Sequence, residues 1–216
     1  MSEIVVYGVP GSPFVRAVCI GLEEKGAAYR LQPMAPQEMK GEAHLKRHPF
    51  GRVPTLHHGD FDLYETQAIL RYLDAVFPEP AFIPADPRAA ARMNQIVGIN
   101  DWYLFPKVSS VIAFQRIVGP ALLGIPTDEA AVAAAVPMAR VCVDELERLL
   151  GMQQFFAGDR LSIADIMLAP QIDYLAMTPE GQTLLKGTRL AAWLARMQAR
   201  PSMAATLPPE ALRRAA

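Results

Sequence analysis

IVVYGVPGSPFVRAVCIGLEEKG, residues 4–26, changes its hydrophobic period in the middle. Ile4, Val5, Val6 and Tyr7 form the short continuous apolar run of a buried strand, and Gly8, Pro10 and Gly11 then break it. Beyond the break Val15, Val18, Cys19 and Leu22 recur at helical spacing, and Lys25-Gly26 reads as a helix stop. Ser12-Pro13 falls where strand gives way to helix, a favoured N-cap followed by a favoured first helical residue. The same place can serve a ligand, because leading amides and the positive dipole end of a helix attract an anion, to which a serine hydroxyl can also donate.

Working outward, Tyr29–Leu31 is the next expected strand. Thr55–His57 and Phe61–Tyr64 flank His58-Gly59-Asp60 as a hairpin, and Ile69, Leu70, Leu73, Val76 and Phe77 mark a second helix. The order is βαβ followed by ββα, a small mixed sheet with helices, over residues 1–78. Residues 79–87, with Pro80, Pro84 and Pro87, read as a linker. Residues 88–216 read as all helical, with Asp86 an N-cap before Pro87, another helix start at Thr127, and a kink or boundary at Pro137. Ser162-Ile163-Ala164-Asp165 has the form of a capping box, with Leu161 and Ile166 placed for a hydrophobic staple, a folding signal rather than a chemical one.

The chain has 216 residues, 51% hydrophobic and 20% charged, with 21 lysines and arginines against 22 acidic residues. That composition builds a core, argues against disorder, and shows no basic domain for nucleic acid or an anionic membrane. No apolar stretch reaches the ~20 residues of a spanning helix, and the N-terminus has neither the basic nor the apolar region of a signal peptide. Cys19 and Cys142 are far apart, which excludes a disulfide framework or four-cysteine zinc site and fits a reducing cytoplasm. His44 and His48 are four apart, but no third ligand has metal spacing, so no metal is expected. Cys19 falls on an apolar helical face and reads as inert packing.

Two further segments carry polar groups beside turns. In HPFGRVP, residues 48–54, Val53-Pro54 precedes an expected strand, a place for a cis proline and for an exposed backbone that a peptide ligand can pair with. In YETQAI, residues 64–69, Thr66 is a natural N-cap, and this second helix N-terminus suits a carboxylate. Lys40 can meet another carboxylate. Tyr7 reads first as packing, and Arg16, one turn after Ser12, as an added positive charge or a structural ion pair.

Together YGVPGSPFVRAV, HPFGRVP, ETQAI and FAGDRLSIAD (residues 156–165) resemble the cytosolic glutathione S-transferases, most closely the serine-using phi and theta branches. The resemblance spans nearly the whole chain. It implies a thioredoxin-like N-terminal domain that binds glutathione, an all-α C-terminal domain supplying most of an electrophile pocket, and a homodimer. On that resemblance Ser12 is the catalytic hydroxyl that stabilises the glutathione thiolate. Val53 pairs with the cysteinyl backbone, Pro54 is the cis-proline, and Glu65 and Thr66 hold the γ-glutamyl end. Lys40 and Arg52 stand near the glycyl carboxylate, while Pro10, Phe14, Trp102, Tyr103 and Phe105 would receive a small apolar electrophile. The aromatic run through Ile112 and Phe114 reads mostly as core. Phe50 would be an exposed apolar key at the dimer interface.

Two positions depart from the family pattern: Met39 stands where phi members often carry histidine, and His48 replaces the asparagine of NPFG. Serine rather than cysteine at position 12 favours conjugation over thiol–disulfide exchange. The other readings are a non-catalytic ligand- or partner-binding protein of the same fold, and a glutathione-dependent peroxidase or isomerase.

Overall fold

The computed structural model describes residues 2–214. β1 (Ile4–Gly8) is buried along most of its length, as its unbroken apolar run requires. α1 (Pro13–Glu24) folds back against it, and Val15, Val18, Cys19 and Leu22 join Ile4, Val6, Leu56, Ile69 and Leu73 in one core. The close return depends on Gly8. A Cβ there would lie 2.4 Å from a Val15 methyl, so no larger residue fits without displacing the helix.

β2 (Arg30–Pro33) pairs parallel with β1, from Val5 opposite Arg30 to Gly8 opposite Pro33. It begins one residue later than Tyr29, whose ring packs against the core beside α1. A 3-10 turn (Pro36–Lys40) and the one-turn helix α2 (Glu42–Leu45) follow, both too short to leave a periodic signal. β3 (Thr55–His58) and β4 (Phe61–Tyr64) form the expected hairpin, giving the sheet order β2-β1-β3-β4. α3 (Thr66–Val76) closes the pattern, and the mixed sheet with its helices is thioredoxin-like.

The chain divides into two compact units, one running up to Phe82 and including Arg200–Pro208, the other comprising Ile83–Ala199 and the residues from Pro209 on. Residues 200–208, expected within the helical domain, thus pack with the first unit instead. The reason is specific. Both Arg200 guanidinium nitrogens that face Glu24 donate to its carboxylate at 2.6 Å, Ser202 Oγ donates to the same group, and Arg16 Nε donates to the Thr206 carbonyl at 2.8 Å. α9 (Pro201–Ala205) is thereby held against α1.

In the second unit α4 (Pro87–Ile99) starts as expected, with the Asp86 carboxylate accepting from the Ala89 amide at 2.8 Å. It runs on into two π-helical segments, Asn100–Ser109 and Phe114–Leu123, each enclosing a proline, Pro106 and Pro120. A proline removes an amide donor, and a widened turn is one way a helix absorbs that loss. α5 (Glu129–Leu150) is capped by Asp128 rather than beginning at Thr127, whose hydroxyl donates instead to the Gln115 carbonyl. α5 passes through Pro137 without the expected boundary.

α6 (Ile163–Ala176) is the centre of this unit, buried from Ile163 to Leu175. Its capping box is closed, and Asp165 does more than cap: it accepts from the Ser162 amide and hydroxyl, the Phe156 amide and Trp193 Nε1, at 2.6–3.0 Å. α7 (Pro179–Leu185), α8 (Arg189–Gln198) and α10 (Glu210–Arg214) complete the unit. Arg116 clamps both Glu129 and Glu180. The aromatic run differs from the expected core: Leu104 and Ile112 are buried, but Trp102 is 74% and Tyr103 49% exposed. Among the described residues no helix is long and apolar enough to cross a membrane.

Candidate functional site

Sheet register places the candidate residues. Tyr7 of β1 lies opposite Thr55 of β3, and Thr55 lies opposite Tyr64 of β4, so these three form one row across the sheet. One step beyond that row the chain reaches Gly8 and the turn to Ser12, Val53-Pro54, and Glu65-Thr66. Three segments far apart in sequence therefore end along one sheet edge. The Met34 amide donates to the Gly8 carbonyl at 3.0 Å, which carries the chain after β2 to the same edge.

Ser12 occupies the N-cap position of α1, with Pro13 first in the helix, but its side chain makes no capping hydrogen bond. The hydroxyl is half-exposed and unengaged among the described residues, so the purely structural explanation of this serine fails. The Arg47 guanidinium lies 4.3 Å over the Tyr7 ring, which gives that ring a packing partner. Arg16 is buried and tied to the Thr206 carbonyl, which gives it a structural task.

The Val53-Pro54 peptide is cis, as expected. Neither the Val53 N–H nor its C=O makes a hydrogen bond among the described residues, which leaves both groups open for pairing. Thr66 is not the N-cap of α3. Glu65 is, at φ 69°, a backbone conformation that side chains other than glycine rarely adopt. Such strain persists where surrounding structure enforces it, commonly at ligand clamps. The Glu65 carboxylate and the Thr66 hydroxyl carry no hydrogen bond among the described residues.

Lys40 reaches the HPFG loop: its Nζ lies 3.5 Å from the Phe50 carbonyl and packs against Gly51, where φ is +60° and a Cβ would come within 2.9 Å of that nitrogen. Arg52 is exposed beside it. Phe50 is 66% exposed, its ring edge-on to His48 and Tyr64. Pro10 and Phe14 are half-buried in the first unit, while Phe105 is half-buried in the second with the exposed Trp102 and Tyr103.

The two histidines do not behave as a metal pair. His44 is buried with Nε2 2.7 Å from the Arg52 carbonyl oxygen, and His48 stacks on Tyr64 at 4.6 Å between ring centres. Burial pushes the His48 pKa down, against the pull of the Glu65 carboxylate. No group of three or more metal-binding side chains gathers among the described residues. The tie of His44 to the loop leaves one trace in the sequence, its place four residues before HPFG.

A family model described as the glutathione S-transferase N-terminal domain matches residues 6–81, and one described as the C-terminal domain of the same family matches residues 129–196. A probable glutathione S-transferase of Oryza sativa subsp. japonica is 29% identical, covering 97% of this chain and 99% of its own length. A glutathione S-transferase of Hyoscyamus muticus is 30% identical, covering 91% of this chain and 94% of its own. Among solved structures, glutathione transferase F2 of Populus trichocarpa superposes with a TM-score of 0.84 at 27% identity, over 94% of this chain and 97% of that one. Glutathione S-transferase-I bound with lactoylglutathione gives the same TM-score and identity over 95% and 98%. With both family domains in order and a 30%-identical relative spanning nine-tenths of its length, the chain belongs to the glutathione S-transferases, enzymes that join glutathione to electrophiles.

Proposed function

We propose that the sheet edge formed by Ser12, Val53-Pro54 and Glu65-Thr66 binds glutathione, and that Ser12 holds its thiol as the reactive thiolate. One observation carries this reading. The Ser12 hydroxyl, the Val53 backbone, the Glu65 carboxylate and the Thr66 hydroxyl converge on one edge with no hydrogen-bond partner among the described residues. Buried polar groups normally find partners, so the buried Thr66 hydroxyl and the partly buried Ser12 hydroxyl, left open together, point to a ligand with complementary groups.

The tripeptide supplies that complement. Its cysteinyl amide and carbonyl fit the Val53 C=O and N–H in the manner of an added strand. Glu65 suits the γ-glutamyl ammonium, and Thr66 at the start of α3 suits the neighbouring carboxylate. Lys40 and Arg52 offer positive charge to the glycyl carboxylate.

The energetics suffice. A free thiol ionises near pKa ~8.5, so a largely ionised thiol at neutral pH needs a drop of about two units, roughly 2.7 kcal/mol. A helix N-terminus offers up to ~1–2 kcal/mol and a hydrogen bond to a charged acceptor ~1.5–3 kcal/mol. Ser12 at the head of α1 combines both. The protein's own Cys19 marks the contrast, since burial pushes that thiol up to about 11. The thiolate then attacks an electrophilic carbon and the leaving group departs with its bonding pair, while the protein contributes anion stabilisation and proximity.

The electrophile is a small apolar molecule, a reading supported by the half-buried apolar side chains of Pro10 and Phe14 beside Ser12. Exposed Phe50 supports a homodimer in which it is the apolar key. The buried free thiols Cys19 and Cys142 fit a reducing cytoplasm.

Ser12→Ala tests the mechanism. Turnover of an activated aryl halide should fall tenfold or more while glutathione affinity stays within about threefold, and the thiolate absorbance of the bound tripeptide should titrate at higher pH than in the wild type. Undiminished turnover with an unmoved titration would remove Ser12 from the mechanism.

A further inference from the structure

His44 sits in α2, a single helical turn, yet its ring is buried at 2% exposure. Its Nε2 lies 2.7 Å from the Arg52 carbonyl oxygen. A carbonyl only accepts, so Nε2 carries the hydrogen of this bond. The Arg52 carbonyl belongs to the peptide unit whose other end is the Val53 N–H. That peptide is trans, the cis bond being the next one. In a trans peptide the C=O and N–H point in opposite directions. Turning the Arg52 carbonyl inward onto His44 therefore turns the Val53 N–H outward. No other hydrogen bond among the described residues holds either group.

We propose that His44 is a positioning residue for glutathione: its imidazole fixes the Arg52–Val53 peptide plane so that the Val53 backbone faces the tripeptide. The inference rests on the reading of Val53 as the residue that pairs with the cysteinyl unit. His44 itself touches no ligand. Its effect reaches glutathione through one peptide plane, so it acts on binding of the tripeptide and leaves the Ser12 chemistry alone.

The experiment compares two ligands by calorimetric titration: glutathione, and its isostere with an E-alkene in place of the cysteinyl–glycine amide, which has no cysteinyl carbonyl to accept from the Val53 N–H. The wild type should bind glutathione at least five- to tenfold more tightly than the analogue. In His44→Leu that preference should shrink below about twofold, with KM for glutathione raised about tenfold and kcat at saturating glutathione within twofold. His44→Gln, whose side-chain amide reaches about as far as Nε2, should restore the preference. If His44→Leu does not fold, His44→Asn replaces it, because its shorter amide stops short of the carbonyl and should lose the preference as well. A folded Leu or Asn variant that keeps the full wild-type preference overturns the role of His44 while leaving the Val53 reading intact. A wild type that fails to discriminate between the ligands overturns the Val53 reading, and this inference with it.

Discussion

Two helices of this protein begin with a serine, and the serines do opposite things. Ser162 opens α6 and is consumed by structure: its amide and hydroxyl both donate to Asp165, whose other oxygen takes the Phe156 amide and the Trp193 indole. Ser12 opens α1, and its hydroxyl is spent on nothing among the described residues. The difference lies at the third helical position. Asp165 reaches back to its cap, whereas Val15 turns into the core and Pro13 has no amide to offer. A helix start that satisfies itself anchors a fold, and one left open is free to hold an anion.

The contrast breaks hardest at Asp165. This carboxylate is wholly buried and holds four donors from the 156–162 loop and α8. Asp165→Ala strands them, and should cost about 3–5 kcal/mol, read as a lower urea midpoint or as failure to accumulate folded protein. Asp165→Asn keeps one accepting oxygen and should lose roughly half as much. If Asp165→Ala folded with wild-type stability, the closed helix start would not be the anchor described here.

An open N-terminus raises the question of what fixes α1 instead. The answer is at its far side, where Arg200 and Ser202 hold Glu24 and Arg16 holds Thr206. Burial alone would raise the Glu24 carboxyl, but the hydrogen bonds from Arg200 and Ser202 outweigh it and keep the pKa below the ordinary glutamate value. A depressed carboxyl gives stability that is complete above the unfolded pKa, about 4.3, and is lost as pH falls through the folded value. Glu24→Gln should therefore cost about 1–2 kcal/mol at neutral pH. The gap to the wild type should close toward about pH 3, as urea unfolding at the two pH values would show. A gap that stayed constant with pH would mean that the ion pair does not hold α1.

How much of this was legible beforehand follows from where the signals live. The strand–turn–helix of residues 4–26 and the hairpin around Gly59 are written in local period and turn residues, and both stand. Ser12, Val53, Pro54, Glu65 and Thr66 were marked by turn chemistry and by motif order, and the register gathers them on one edge. The tie of His44 to the loop is not legible in the sequence because its partner is a carbonyl eight residues away across an aperiodic loop, and nothing in a sequence shows where a ring nitrogen points. The return of residues 200–208 to α1 was hidden for a similar reason. Their partners Glu24 and Arg16 lie more than 170 residues earlier, and α9 has ordinary helical composition. Thr66 and Thr127 as caps were local guesses overruled by neighbours, the strained Glu65 and the carboxylate of Asp128.

The smallest expected effect is the most discriminating one. Ser162→Ala removes a hydroxyl that donates to Asp165 in a buried box, and should destabilise by about 1 kcal/mol. Ser12→Ala removes a hydroxyl with no capping bond, and should change stability by less than about 0.5 kcal/mol even as it disables conjugation. Urea midpoints of the two variants, measured beside aryl-halide turnover, separate the roles. Ser162→Ala should lose stability and keep its turnover per folded molecule, and Ser12→Ala should do the reverse. A Ser12→Ala protein as destabilised as Ser162→Ala would show that the hydroxyl caps α1 in solution. The two helix starts would then be alike, and the thiolate would need another donor.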